Sequence, residues 1–344
     1  MNKEYTVGSM FAGIGGICLA FKNAGFKIKW ANEIDKHACI TYRLNFPDNN
    51  LFEEDVNNLH NIKETMGYVD VITSGFPCQA FSVAGYRNGF KDPRGNLFFE
   101  TARFIDILRP KVFFLENVRN LKGHDNGKTF NIIEKTLSED LGYSFIPFIL
   151  NSKDYGNIPQ TRERIYMVGF RNEKDITHIL KGPGLFNSNT GNKATLTNTF
   201  DIPEKIPLTT TIADLLFEHK VDDKYYYKEN HRYYSKLSET IKSEKTLYQW
   251  RRIYVRENKS NLCPTLTANM GTGGHNVPIL KNGHGIRKLT PRECLRFQGF
   301  PDSFKIPDQL ADSHIYKQAG NSVVVSVVER IAEKIKNSLD SSIQ

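Results

Sequence analysis

Thr73-Ser74-Gly75-Phe76-Pro77-Cys78-Gln79-Ala80-Phe81-Ser82 decides how the rest of the chain is read. Tyr68-Val69-Asp70-Val71-Ile72 runs into it, short, apolar and β-branched, the composition of a buried strand. Gly75 and Pro77 stop that strand. Cys78 is therefore delivered to the carboxyl end of a strand, the edge on which open α/β sheets bind ligands. Pro77 has a fixed φ and no N–H, so the thiol stands on a stiff turn. A buried structural cysteine is the competing reading of a single Cys.

Upstream, Tyr5 to Phe11 reads as a strand, Ala12-Gly13-Ile14-Gly15-Gly16 as a turn and Ile17 to Ala24 as a helix. Such a turn lets a ligand approach the backbone, with helix N–H groups aimed at it. Lys27 to Asn32 is a second strand, and Glu33 at its end suits ribose hydroxyls. The last glycine of the dinucleotide fingerprint is missing, so a nucleoside ligand fits better than a dinucleotide. Asn50 to Val56 is a third strand. Asp55 near its end either accepts from an adenine amino group or caps the next helix.

Downstream, Val83 to Asn96 mixes Gly and Pro with Lys and Arg, the make-up of a closing loop that touches phosphates or of a solvated surface loop. Leu97 to Leu108 is helical, and Lys111 to Leu115 is a fifth strand with Glu116-Asn117-Val118 at its carboxyl end. In a parallel sheet Glu116 lies level with Cys78. Gly127 to Leu141 is helical, and Tyr143–Leu150 and Arg164–Phe170 are strands. Arg162 and Arg164 alternate onto one strand face, suited to a carbonyl oxygen, a phosphate or surface salt bridges.

Periodicity weakens after Arg171. Tyr225 to Arg256 interleaves tyrosines and Trp250 with Lys and Arg, a pattern for phosphate contact and base stacking or for exposed strands. Its densest part, Tyr248 to Arg256, contains Arg251 and Arg252. Regularity returns at Ile286. Thr290, Pro291 and Glu293 form a capping box ahead of a helix. Gln318-Ala319-Gly320-Asn321-Ser322 reads as a turn opening a helix from about Val323 to Leu339.

The bulk numbers set bounds. A length of 344 residues allows one large or two moderate domains. A hydrophobic share of 39% with 24% charged residues is ordinary for a soluble globular protein. The net charge of +8 favours an acidic partner such as nucleic acid but says nothing of fold. The 5 cysteines include no Cys-x-x-Cys pair, against a disulfide framework or zinc site and for a reducing cytoplasm. Glycines interrupt Val7 to Phe21, against a signal peptide, and no stretch suits a membrane span.

Taken together, the blocks resemble the bacterial-type DNA (cytosine-5)-methyltransferases of restriction–modification systems. They are Phe11-Ala12-Gly13-Ile14-Gly15-Gly16, Asn32-Glu33-Ile34-Asp35-Lys36, Gly75 to Ser82, Arg94-Gly95-Asn96-Leu97-Phe98, Glu116-Asn117-Val118, Gln160-Thr161-Arg162-Glu163-Arg164, Arg287 to Pro301 and Gln318 to Ser322. They stand in the family's order. The resemblance implies a doubly wound, Rossmann-like α/β sheet with a smaller, mainly β or irregular target-recognition domain. It divides the chain into a catalytic and cofactor-binding domain at 1–171, a recognition domain at 172–285 and a return segment at 286–344.

It also implies S-adenosylmethionine, without a metal, at Phe11, Gly13, Gly15, Gly16, Glu33, Ile34, Asp55, Pro77, Asn321 and Ser322. Gln79, Ser82, Arg94, Arg251, Arg252, Thr265 and Leu266 would meet double-stranded DNA. Ser9, Ile34 and Ala84 depart from residues common in the family. The partner set is duplex DNA and a companion restriction endonuclease, with no membrane, for a monomer acting in the bacterial cytoplasm at the nucleoid. Tyr248 to Arg256 with Pro264 to Pro278 is similar to recognition regions for GG-any-CC-like sites.

The chemistry explains the residue types. Carbon 5 of cytosine becomes nucleophilic when a thiolate adds at carbon 6. The resemblance makes Cys78 that nucleophile, Glu116 the acid at ring N3, and Arg162 and Arg164 the holders of the 2-carbonyl oxygen and the thiolate. The base must first leave the helix stack. An amino-methyltransferase would carry an Asp/Asn/Ser-Pro-Pro-aromatic site instead of Phe76-Pro77-Cys78-Gln79. A tRNA enzyme and an inactive DNA-binding scaffold are the other rivals.

Overall fold

The computed structural model describes residues 4–77, 97–172, 179–181, 199–272 and 276–341. Its first strand, β1 (Thr6–Met10), is a short apolar run buried on both faces, as a central parallel strand must be. α1 (Gly16–Asn23), β2 (Lys27–Asn32), α2 (Lys36–Asn45) and β3 (Asn50–Phe52) carry the chain to one sheet edge. It then passes α3 (Ile62–Thr65) and returns beside β1 as β4 (Val71–Ser74). α4 (Leu97–Leu108) and β5 (Val112–Val118) extend the other half. α5 (Lys128–Lys135), β6 (Ile146–Asn151), α6 (Ser152–Tyr155), β7 (Gln160–Thr161) and β8 (Glu163–Phe170) complete it.

The sheet order is β3-β2-β1-β4-β5-β8-β6, with β8 antiparallel to both neighbours. The doubly wound expectation holds. The strand order reverses between β1 and β4, and such a switch point opens a crevice at the carboxyl ends of the strands. Gly8 allows the close packing there: a Cβ on it would lie 2.1 Å from the Trp30 ring. One apolar cluster joins α1 to the later helix α10 (Val325–Ser341) through Phe21, Val328 and Ile331. A second covers the opposite sheet face with Phe98, Phe104 and Phe113.

β9 (Ile179–Lys181) and β10 (Thr199–Asp201) pair in parallel. After α7 (Tyr234–Thr240), strands between residues 248 and 288 form an antiparallel sheet. Its order is β12 (Tyr254–Glu257), β11 (Tyr248–Arg251), β14 (Ile279–Asn282), β15 (Gly285–Lys288). Leu237, Tyr248, Val255 and Ile279 form its own core. β13 (Cys263–Pro264) leaves this sheet and pairs with β7 of the catalytic half. β15 runs across the 285/286 boundary expected from sequence. α8 (Pro291–Arg296) has the predicted capping box. Glu293, fully buried, also takes both terminal nitrogens of Arg287, at 2.8 and 2.7 Å.

Several expected boundaries shift. Glu116 and Asn117 lie within β5, because their backbone pairs with Tyr166 and Ile165 of β8. β3 stops at Phe52, and the helix read over 127–141 becomes α5 plus a wider turn at Thr136–Asp140. The Gly320-Asn321 turn is a correction: both residues belong to α9 (Asp312–Asn321). Ser322 N–H still donates to the Gln318 carbonyl at 3.0 Å, so helical bonding runs through the glycine, and α10 starts only at Val325.

Candidate active site

The glycine turn sits at the carboxyl end of β1. Phe11, Gly13 and Gly15 all have positive φ, of 51°, 56° and 89°. For Phe11 that is a strained backbone, of the kind that collects at functional sites. Glu33, at the end of β2, organises the turn. One carboxylate oxygen accepts from Gly13 N–H at 2.7 Å, and the other from Ile34 and Asp35 N–H at 2.9 and 2.8 Å. A Cβ on Gly13 would meet nothing within 4 Å, so the turn opens to free space beside a carboxylate. That cradle fits a ligand bearing hydroxyl donors. Ile34 is 60% exposed nearby.

The neighbouring residues assemble around this turn. Asn32 is buried and donates to the carbonyls of Phe52 and Glu54, which fixes the chain leading to Asp55. Asp55 caps the following turn through Asn57, the structural alternative expected for it. Gly16 is held against the return segment: a Cβ there would sit 2.5 Å from Ser322 Oγ. Asn321 precedes it and is exposed. Pro77 stands exposed beyond β4. Cys78, Gln79, Ser82 and Arg94 lie outside the described residues.

Glu116 faces the crevice from β5. Parallel pairing of Ser74 with Leu115 brings it level with Gly75, whose Cβ would lie 3.8 Å from Glu116 Oε2. Asn117 donates to the Phe76 carbonyl at 2.8 Å and so pins the turn entering Cys78. Arg164 Nε meets Glu116 Oε1 at 3.0 Å, both side chains largely buried. Burial raises the Glu116 carboxyl above its ordinary value, and Arg164 and Arg162 oppose that rise without overcoming it. A carboxyl so placed keeps a proton longer than an exposed one.

Arg162 falls between β7 and β8 and is 3% exposed. Its terminal nitrogens donate to the carbonyls of Leu266 at 2.7 Å, Gly320 at 3.2 Å and Ser322. Its Nε is buried with no partner among the described residues. Burial and then Arg164 pull its pKa down to about 9, still above neutral, so the group stays charged.

The four-stranded antiparallel sheet faces a polar cavity of about 450 Å³ lined by Thr161, Gln249, Arg251, Arg256, Thr265 and Thr267, among others. Arg251 and Arg256 are exposed and form no ion pair among the described residues. Gln249 Oε1 is buried without a partner there. Arg252 occupies the hairpin tip with φ 51°. Thr265 is tied by its hydroxyl to the Thr161 carbonyl, and Leu266 turns its side chain into the core. Gln249 and Arg256 fall within the Tyr248–Arg256 stretch that the sequence marks but were not among the residues expected to meet DNA. Strand alternation was the available signal, since Gln249 pairs with Arg256 across β11 and β12.

The C-5 cytosine-specific DNA methylase family matches residues 5–337. The chain belongs to this family. Type II methyltransferase M.Bsp6I of Bacillus sp. (strain RFL6) is 54% identical over 337 residues, covering 97% of this chain and 99% of that protein. Type II methyltransferase M.HhaI of Haemophilus parahaemolyticus is 38% identical over 347 residues, with 96% and 94% covered. A putative DNA modification methyltransferase of an E. coli prophage has a similar structure, with a TM-score of 0.67, 26% identity and 98% and 100% of the two chains covered. This methylase is thus a DNA (cytosine-5-)-methyltransferase, and its use of S-adenosylmethionine follows from the family. No described helix is long and apolar enough to cross a membrane.

Proposed function

We propose that this methylase methylates carbon 5 of a flipped cytosine in a short duplex DNA site, with Cys78 as nucleophile and Glu116 as proton donor. The observation that carries the reading is the buried, raised Glu116 carboxyl beside Arg164, level with the turn that leads to Cys78. Cys78 sulfur bonds to carbon 6 as the carbon 5–carbon 6 double bond opens. Charge flows toward ring N3, which takes the Glu116 proton. Arg164 steadies the 2-carbonyl oxygen and orients the Glu116 carboxyl. Gly13, Gly15, Gly16, Glu33, Ile34, Asp55, Pro77, Asn321 and Ser322 would hold S-adenosylmethionine, with Phe11 shaping the turn. When bound, that group supplies an electrophilic methyl. The carbon-5 proton then passes to a water molecule, the carbon 5–carbon 6 double bond re-forms, and the bond from carbon 6 to the Cys78 sulfur breaks.

Flipping the cytosine costs a few kcal/mol, offset by contacts to the backbone and the emptied stack. Gln79, Ser82 and Arg94 supply part of those contacts, and Arg251, Arg252 and Thr265 border the duplex. The enzyme acts as a monomer on DNA in the bacterial cytoplasm, and its product protects the site from a companion endonuclease. The relatives' Type II names support that setting.

Tritiated S-adenosylmethionine with wild type and Cys78→Ser, on plasmid DNA and on tRNA, tests the reading. Label on DNA from wild type alone, mapped by bisulfite sequencing, is the expected result and identifies the site. Label on tRNA alone, or equal labelling by Cys78→Ser, would overturn it.

A further inference from the structure

Each described hydrogen-bond partner of the Arg162 side chain is a backbone carbonyl. Three backbone carbonyls from two distant segments converge on its guanidinium, those of Leu266, Gly320 and Ser322. Leu266 follows Thr265, which lines the polar cavity. Ser322 leans on Gly16 of the glycine turn. The two segments touch backbone to backbone: a Cβ on Gly320 would lie 2.1 Å from the Thr267 carbonyl carbon. Buried glutamines lock the same junction. Leu266 N–H donates to Gln160 Oε1 at 3.0 Å, and Gln160 Nε2 donates to the Phe297 carbonyl at 2.7 Å. Gln298 Nε2 donates to the Ala319 carbonyl at 2.6 Å.

We infer that Arg162 is a positioning residue that couples the DNA groove to the cofactor turn. The inference rests on the proposed cofactor and DNA assignments. A buried cation is costly unless its donors stay occupied, so the three carbonyls move as one with it. A ligand that settles Thr265 therefore settles Ser322, and one that settles Ser322 settles Thr265. Linkage makes the effect equal in both directions.

The test titrates S-adenosylhomocysteine into wild type and Arg162→Lys, each with and without a duplex carrying the mapped site. In wild type the duplex should tighten S-adenosylhomocysteine binding about fivefold or more. Arg162→Lys should keep each separate affinity within about threefold while losing most of that coupling. Full coupling in the variant, or none in wild type, overturns the inference. Hydrogen exchange on wild type guards against a variant that fails to fold. S-adenosylhomocysteine alone should slow exchange at 264–272, and unchanged exchange there overturns the inference. No binding of S-adenosylhomocysteine by wild type would overturn the cofactor reading as well, whereas binding without coupling overturns this inference alone.

Discussion

In the proposed mechanism Glu116 is the proton donor. Its pKa is raised by burial, so it holds its proton to higher pH than an exposed carboxylate. Under that mechanism, activity that depends on the proton would fall as pH rises through the raised value, while formation of the attacking thiolate would give the opposing limb. Single-turnover rates against pH should therefore be bell-shaped, and a profile without a falling limb would remove Glu116 as the acid. Glu116→Gln should lower the methylation rate by about 10²–10⁴-fold and leave duplex binding in place. Glu116 stood out in the sequence because a Glu-Asn pair follows the four-residue apolar run Val112 to Leu115. Arg162 was only half legible. Its spacing from Arg164 suggested a shared strand face, but the carbonyls that claim it come from positions more than 100 residues away.

At the level of elements, one carboxylate ties three strands at the end of the sheet opposite the site. Asp70 accepts from Thr6 N–H and Thr6 Oγ1, each at 3.0 Å, and meets Lys111 Nζ at 3.0 Å. Burial alone would raise its pKa, but the Thr6 and Lys111 donors outweigh it and hold the group below the ordinary 3.8. A folded-state pKa below the unfolded one gives stability that is present above the ordinary value and lost as pH falls through the lowered one. Asp70→Asn should cost about 1–3 kcal/mol at neutral pH and flatten the acid side of the stability curve, as read by urea unfolding at several pH values. The catalytic elements were well marked in sequence: Lys27–Asn32 and Leu97–Leu108 have the bounds expected of them. The recognition strands were not, because Tyr248 and Trp250 alternate with polar residues among many other tyrosines. Gly320 misled because a glycine near a helix end usually marks its stop, whereas here it serves the contact with Thr267.

For the whole molecule, two of the cations behind the net charge of +8 line the polar cavity. These two, Arg251 and Arg256, form no ion pair among the described residues, whereas Arg43, Arg103 and Arg296 are each matched to a carboxylate. Binding of duplex DNA should weaken steeply with salt. Arg251→Ala combined with Arg256→Ala should reduce the slope of log affinity against log salt by about two, measured by fluorescence anisotropy. An unchanged slope would take these arginines off the phosphates. That the seven-stranded sheet ends at Phe170 was legible from the break in periodicity after Arg171. The excursion of β13 back to β7 was not, since a two-residue strand leaves no periodic trace.

The packing of α1 against α10 has a consequence in time. α1 is made early, and the helix that covers Phe21 arrives about 300 residues later. At about 5–20 residues per second, that interval is on the order of fifteen seconds to a minute of translation. Throughout it the nascent chain shows an uncovered apolar face, a load for chaperones. Messages broken before α10 should therefore yield insoluble fragments, so that methylation capacity counts finished molecules only.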